Sequence, residues 1–494
     1  MTVEVKVEAV QVAEEPVKVA TEELEKVEGE VKCEKDESKP KLVEKSSSYR
    51  EESNFLSDLK EHEKKALNEL KTKLEEAILG NSIFKKDEKE EAVKTPAAEE
   101  EEKPAEVCEK EAEKKEECDN EEQKPVEKCK EPEPAPEPKP EAEAVEVDED
   151  ISIWGVPLLP SKGNESTNVV LLKFLRAREF KVNEAFEMLK KTLQWRKEFK
   201  IDTILEEEFE ADLASAAYMS GVDGEGHPIC YNIFGVLERE DLYEKTLATE
   251  EKREQFLRWR VQLMEKGLQK LDFKADGINS LVQINDLNNS TGSSKKEVRA
   301  AVNKAVALLQ DNYPEFVAKN IFINVPFWYY AFHSLLSPFL TQRTRSKLVF
   351  ARPSKVTDTL LKYIPIQEIP IQYGGIKREN DFEFSNADGE ATEVVIKAGC
   401  TETIEIPTPE AGTTFIWDVT VLGWEVNYTE EFVPTDENSY TMIIQKCKKM
   451  GSDEEAVRKT FKNHEAGKIV ITVQNSSGKK KKLIYRFKVK KTCF

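Results

Sequence analysis

Residues 313–347 read YPEFVAKNIFINVPFWYYAFHSLLSPFLTQRTRSK, and the order of parts within them constrains the whole chain. Tyr313-Pro314-Glu315 closes a helix-patterned stretch. A short strand at 321–324 follows, then the aromatic-rich run 327–340 and the cations Arg343, Arg345 and Lys347. An apolar face, one isolated carboxylate and a cluster of positive charge therefore stand side by side. Apolar surface for a hydrocarbon chain and charge-assisted hydrogen bonds for a phosphate are what an anionic amphiphile needs from a protein.

Upstream of this block, strand patterns alternate with helical ones. Residues 228–234 read as a buried strand after the turn at 221–226, 250–271 as an amphipathic helix, 280–287 as a strand and 295–311 as a helix. That alternation predicts a largely parallel sheet covered by helices. Order begins near Ile151-Ser152-Ile153-Trp154, and residues 168–199 predict two helices broken at 179–182. After Gly374-Gly375 the period changes to short β-branched and aromatic runs at 392–398, 401–406, 413–422, 426–432, 439–445, 467–474 and 482–489. These predict an all-β module, most simply a sandwich, with Asn475-Ser476-Ser477-Gly478 turning its last hairpin.

The formal charge of -22 over 494 residues is confined to one region. Residues 1–150 hold 48 Asp and Glu against 26 Lys and Arg, so residues 151–494 are neutral. The acidic region is rich in Glu, Lys, Pro and Ala, contains no Trp and predicts a disordered tail. One island interrupts it. From 55 to 79 apolar residues recur at helical spacing, with Ser53 placed to cap the start and Gly80 after the end. This helix either docks on the folded part or meets a partner or membrane surface. The eight cysteines lack paired metal-ligand spacing, Asp223-Gly224-Glu225-Gly226 lacks the spaced ligands of a calcium loop, and neither metal nor cofactor is expected. No apolar run approaches the length of a membrane span, so the reading is a cytosolic protein.

Three blocks together resemble a known family. Phe174-Leu175-Arg176-Ala177-Arg178 is similar to the helical leader of Sec14, or CRAL-TRIO, lipid-binding proteins. The segment from Tyr313-Pro314-Glu315 to Lys347, closing with Tyr373-Gly374-Gly375, resembles their lipid domain. Trp417-Asp418 and Gly423-Trp424-Glu425-Val426 look like a GOLD domain, and the order acidic tail, Sec14, GOLD resembles the patellins of plants. The resemblance implies an α/β Sec14-like lipid-binding domain with a helical leader, followed by an all-β GOLD sandwich. In this division 1–150 is the acidic tail, 151–205 the leader, 206–378 the lipid domain and 382–492 the GOLD domain.

It also implies a ligand, phosphatidylinositol or a phosphoinositide, with the headgroup held by Arg178, Glu315, Thr344 and Lys347. Phe327, Trp328, Phe332, Leu335 and Leu336 would form the gate over an acyl-chain cavity. Phe316, Glu179 and Leu309 depart from the founding members: the first two remove positive charge, and Leu309 replaces a serine associated with choline lipids. Inositol-lipid binding survives these changes better than dual specificity. Lys479, Lys480, Lys481, Lys482 and Arg486 predict a cationic patch suited to an anionic leaflet. The acidic tail and the lack of a binding motif argue against nucleic acid as its partner.

The expectation is a non-enzymatic carrier or sensor of phosphoinositides, in the cytoplasm and peripherally on plasma membrane, endomembrane or cell plate. The family implies roles in membrane trafficking and cell-plate formation at cytokinesis, with trafficking proteins meeting the GOLD domain; a monomer is expected. The alternative is a cytosolic adaptor whose cavity takes a sterol or tocopherol-like ligand. The chain has no phosphate-binding Gly-Lys loop, Gly-x-Ser-x-Gly elbow or His-Glu-x-x-His, which disfavours an enzyme.

Overall fold

The spacing of Leu67, Leu70, Leu74 and Ile78 produces helix α1 (Glu61–Leu79), and all four side chains are buried. The computed structural model describes residues 51–84, 150–290, 295–326, 342–385 and 388–490, excepting the side chains of Gln342 and Thr344. The expected disordered tail lies almost wholly outside them. Helix α1 starts later than the apolar pattern suggests because residues 55–58 turn, with the Asp58 N–H donating to the Phe55 carbonyl at 3.1 Å. Ser53 donates its hydroxyl to Asp58 at 2.6 Å rather than capping the helix.

The hairpin β1 (Ser152–Ile153) and β2 (Val156–Pro157) turns on Trp154 and Gly155, both with positive φ, the geometry that suits a two-residue hairpin. Trp154 lies against Phe174, Phe273, Tyr313 and Phe316. Helices α2 (Glu165–Ala177) and α3 (Val182–Glu198) follow, separated where Glu179 and Phe180 adopt left-handed backbone. Helix α1 packs on both, so an element of the acidic region by sequence completes this helical layer.

The central sheet is built from β3 (Ala217–Val222), β4 (Pro228–Ile233), helices α4 (Glu240–Thr246) and α5 (Glu250–Leu268), β5 (Leu281–Asp286), helix α6 (Lys296–Asn312), β6 (Val317–Ile323), helix α7 (Gln342–Lys347) and β7 (Leu348–Phe350). Its order is β3-β4-β5-β6-β7, antiparallel at β3 and parallel thereafter. Alternation splits the sheet into two unlike faces. Ile229, Tyr231, Val282, Ile284, Ile321 and Ile323 pack against helix α8 (Val356–Leu360), Ile364 and Tyr373. Asn232, Gln283, Asn285 and Asn320 line a cavity on the other face, toward α5 and α6.

The C-terminal module comprises β8 (Thr392–Ile396), β9 (Thr401–Thr408), β10 (Thr414–Val421), β11 (Val426–Pro434), β12 (Met442–Met450), β13 (Val457–Lys462), β14 (Gly467–Gln474) and β15 (Lys481–Lys490). They form two antiparallel four-stranded sheets, β13-β10-β15-β8 and β12-β11-β14-β9, closed over Trp417, Trp424, Tyr428 and Phe432. Among the described residues no helix is long and apolar enough to cross a membrane.

Candidate functional site

Glu315 stands at the mouth of β6 with left-handed backbone, φ 57°. Its carboxylate lies 2.8 Å from the Lys347 ammonium and 3.3 Å from the Arg343 guanidinium, both carried by α7. Burial alone would raise the Glu315 pKa, but the charges of Lys347 and Arg343 outweigh it and hold the group below the usual range. The Glu315 carbonyl accepts from Lys173 of α2 at 2.9 Å, and the same ammonium donates to the Asn279 carbonyl at 2.7 Å. Lys173 also sits 4.3 Å above the Phe316 ring. Its burial pushes the amine down to about 7, against the pull of Glu51 and Glu315.

The segment just before α1 lies across this cluster. Glu52 is 3.0 Å from the Arg176 guanidinium and 3.1 Å from that of Arg343. Arg176 donates further to the Asn54 side chain and the Ser53 carbonyl, each at 2.6 Å, and Arg343 donates to the Arg176 carbonyl at 3.2 Å. Glu51 accepts from the Ser280 hydroxyl and lies 3.3 Å from His227 Nε2, while His227 Nδ1 faces Asp223 at 3.1 Å. Burial opposes charge on both partners, yet their hydrogen bonds prevail: His227 is held up at about 9 and Glu51 down at about 2. Residues 51–54 thus act as a strap whose carboxylates neutralise buried cations.

Of the headgroup residues anticipated from sequence, the structure brings Glu315 and Lys347 together. Arg178 follows α2 and donates to the Ala177 carbonyl at 3.2 Å; it makes no ion pair among the described residues. Thr344 belongs to α7, but its side chain is outside the described set, as are Phe327, Trp328, Phe332, Leu335 and Leu336 of the anticipated gate. The β module distributes its basic residues unequally. Lys479 and Lys480 are exposed on the β14–β15 turn. Lys481 pairs with Glu425 at 3.1 Å and Lys482 with Glu393 at 2.8 Å. Arg486 departs from the expected surface patch: Asp418 at 2.8 Å and Asp381 at 3.3 Å draw its guanidinium inward. Arg176 and the strap were not foreseen, and Arg343, named in the cation run, was not assigned to the headgroup set. The signal was the pair Glu51-Glu52 just ahead of the apolar pattern that begins at 55, hidden in a region crowded with acids.

Beside the cluster, the cavity between the sheet and helices α5 and α6 has a volume of about 220 Å³. Leu237, Phe256, Val302 and Leu309 supply its apolar wall. Pockets for drug-sized ligands run to roughly 300–1,000 Å³, so the described space suits one chain better than a whole diacyl lipid.

Family models agree with this order of parts: a CRAL/TRIO N-terminal domain over residues 66–191, a CRAL/TRIO domain over 214–375 and a Patellin-1-like C-terminal GOLD domain over 397–482. The first of them begins inside α1. Fold and site together define a Sec14-like α/β module joined to a GOLD sandwich. Patellin-4 of Arabidopsis thaliana is 57% identical, with 99% of each chain covered. Patellin-3 of the same plant is 50% identical over 69% of this chain and 70% of its own. The chain belongs to the patellin family. It is also similar to a Kluyveromyces lactis protein named phosphatidylinositol transfer protein SFH5, 29% identical over 49% of this chain and 80% of that one.

Proposed function

We propose that this protein binds phosphatidylinositol or a phosphoinositide and carries or senses it at membrane surfaces without chemical turnover. The observation that carries the reading is the pairing of Lys347 and Arg343 on one carboxylate, Glu315, beside an internal cavity. Lys347 and Arg343 attract the headgroup phosphate, and Glu315 orients Lys347 or accepts from an inositol hydroxyl. Arg178 and Thr344 complete the set that kinship suggests, and the run containing Phe327, Trp328, Phe332, Leu335 and Leu336 is the proposed gate. Exposed Lys479 and Lys480 suit an anionic leaflet, each contributing about 1 kcal/mol. Kinship with patellins adds the proposed setting: the cytoplasmic face of plasma membrane, endomembrane or cell plate, in trafficking and cytokinesis, with trafficking proteins as partners of the GOLD module.

A phosphate approaching Arg343 must displace Glu52, because that carboxylate already occupies the guanidinium. The test is flotation of the full chain on liposomes with graded phosphoinositide content, together with mass spectrometry of copurified lipid. Lys347→Ala is expected to weaken flotation at least tenfold, the value of one charged hydrogen bond at about 1.5–3 kcal/mol, with the fold intact by circular dichroism. Glu52→Gln is expected to strengthen it several-fold. Unchanged affinity in Lys347→Ala overturns the site, and a neutral isoprenoid as the copurified ligand overturns the headgroup.

A further inference from the structure

The floor of the cavity is not what a hydrocarbon chain requires. Asn232 donates to Gln283 at 2.7 Å and to Asn285 at 3.3 Å, and Asn285 donates to Asn320, so amides from three adjacent strands form one chain. At its end Arg260 of α5 donates through Nη2 to Oδ1 of the Asn232 side chain at 2.9 Å. That is its only hydrogen bond among the described residues. No described carboxylate lies within ion-pair distance of it. Elsewhere in the same module Arg176, Arg196, Arg258 and Arg343 each meet a carboxylate.

Arg260 is half-buried, and a charge partly withdrawn from water without a counter-ion costs stability unless something compensates it. Desolvation depresses the Arg260 pKa, yet a guanidinium remains protonated under all ordinary conditions. The donors left on Arg260 reach the cavity, as Arg260 and Asn232 both line it. One cation with one flanking amide chain matches a planar monoanion; the multiply charged phosphates of an inositol headgroup call for the several cations that gather at Glu315.

We propose that the cavity holds a single-chain amphiphilic carboxylic acid, a fatty or isoprenoid acid, with its carboxylate on Arg260 at the amide floor. Its hydrocarbon then runs along Leu237, Phe256, Val302 and Leu309. The inference rests on reading the cavity as a lipid chamber but not on the headgroup cluster, and it gives the protein a second ligand class.

The test uses the full chain, with fluorescence titration of cis-parinaric acid and of its methyl ester, which keeps the chain and removes the charge. Wild type is expected to bind the acid at least tenfold more tightly than the ester, from a charged hydrogen bond worth about 1.5–3 kcal/mol. Arg260→Met should abolish that preference while leaving flotation on phosphoinositide liposomes unchanged, and Leu309→Trp should lose both probes by filling the space. Equal affinity for acid and ester in wild type, or no binding of either, overturns the proposal without any variant. So does an acid preference that persists in Arg260→Met. Loss of phosphoinositide flotation in Arg260→Met would assign Arg260 to the headgroup site and also overturn it. Absence of phosphoinositide flotation in wild type, with the acid preference intact, would remove the headgroup reading alone.

Discussion

Glu430 has none of its surface exposed, and its carboxylate accepts from Trp417 Nε1 at 2.8 Å and from the Tyr428 hydroxyl. Burial, reinforced by the charge of Glu430, raises the Tyr428 pKa well above its ordinary value, so the phenol stays a donor. Glu430→Ala would strand two buried donors and open a hole, and chemical denaturation should show a loss of roughly 3 kcal/mol or more. Glu430→Gln keeps an acceptor in place and should lose distinctly less. This inward carboxylate was legible in the strand period, because Val426, Tyr428 and Phe432 share its face. The bend of Arg486 toward Asp418 and Asp381 was not, since a residue's own strand says nothing about the carboxylate placed opposite it on β10 or the one that the connection before β8 brings to it.

Among elements, α1 and the strap before it show how far sequence pattern reaches. The helical period located α1, and its buried stripe of Leu67, Leu70 and Leu74 makes it part of the core. Leu70→Ala should cost about 2–5 kcal/mol in a urea melt, the usual range for a fully buried leucine. The strap carries no period at all; it is held by charge, so pH should release it. His227, raised from 6.5 to about 9, contributes stability fully below 6.5 and loses it as pH rises through about 9. Glu51, depressed from 4.5 to about 2, contributes fully above 4.5 and loses that as pH falls toward about 2. The protection of residues 51–54 against hydrogen exchange, taken relative to the intrinsic rate at each pH, should therefore be greatest between those windows, and Glu51→Gln should flatten both limbs. Of the five strands that escaped the sequence reading, β1 and β2 have only two residues each, and the other three were missed for equally local reasons. Gly221 dilutes β3, β7 has 3 residues, and β13, Val457–Lys462, carries three cations where a β-branched run would have announced it.

At the scale of the whole molecule, one aspartate joins the two modules. Asp381, in the connection after the Sec14-like module, accepts from Arg458 twice at 2.7 Å and from Arg486 at 3.3 Å. Arg378 reaches back to the Ala456 carbonyl at 2.7 Å, and Ile366, Ile376, Ala456 and Ile484 form an apolar patch beneath. Arg458 outweighs the effect of burial and keeps the Asp381 carboxyl down at about 2, so the junction stays charged at any physiological pH. Asp381→Ala leaves Arg458 and Arg486 sharing Asp418 alone. Limited proteolysis should then cut the connection between 378 and 391 several-fold faster, with the isolated modules otherwise intact. The modular order itself was readable from the change of period after Gly374-Gly375; the ionic junction depends on tertiary approach and was not.

Helix α1 reaches its place on α2 and α3 from across a 65-residue span, residues 85–149, joined to the folded part at both ends. Its buried stripe of Leu67, Leu70, Leu74 and Ile78, rather than the covalent link, holds it there. A protease that severed the span once would therefore leave a noncovalent complex of two fragments. Such a nicked protein should migrate as one species on a native gel and as two after denaturation, and the short fragment should rebind when the two are mixed again.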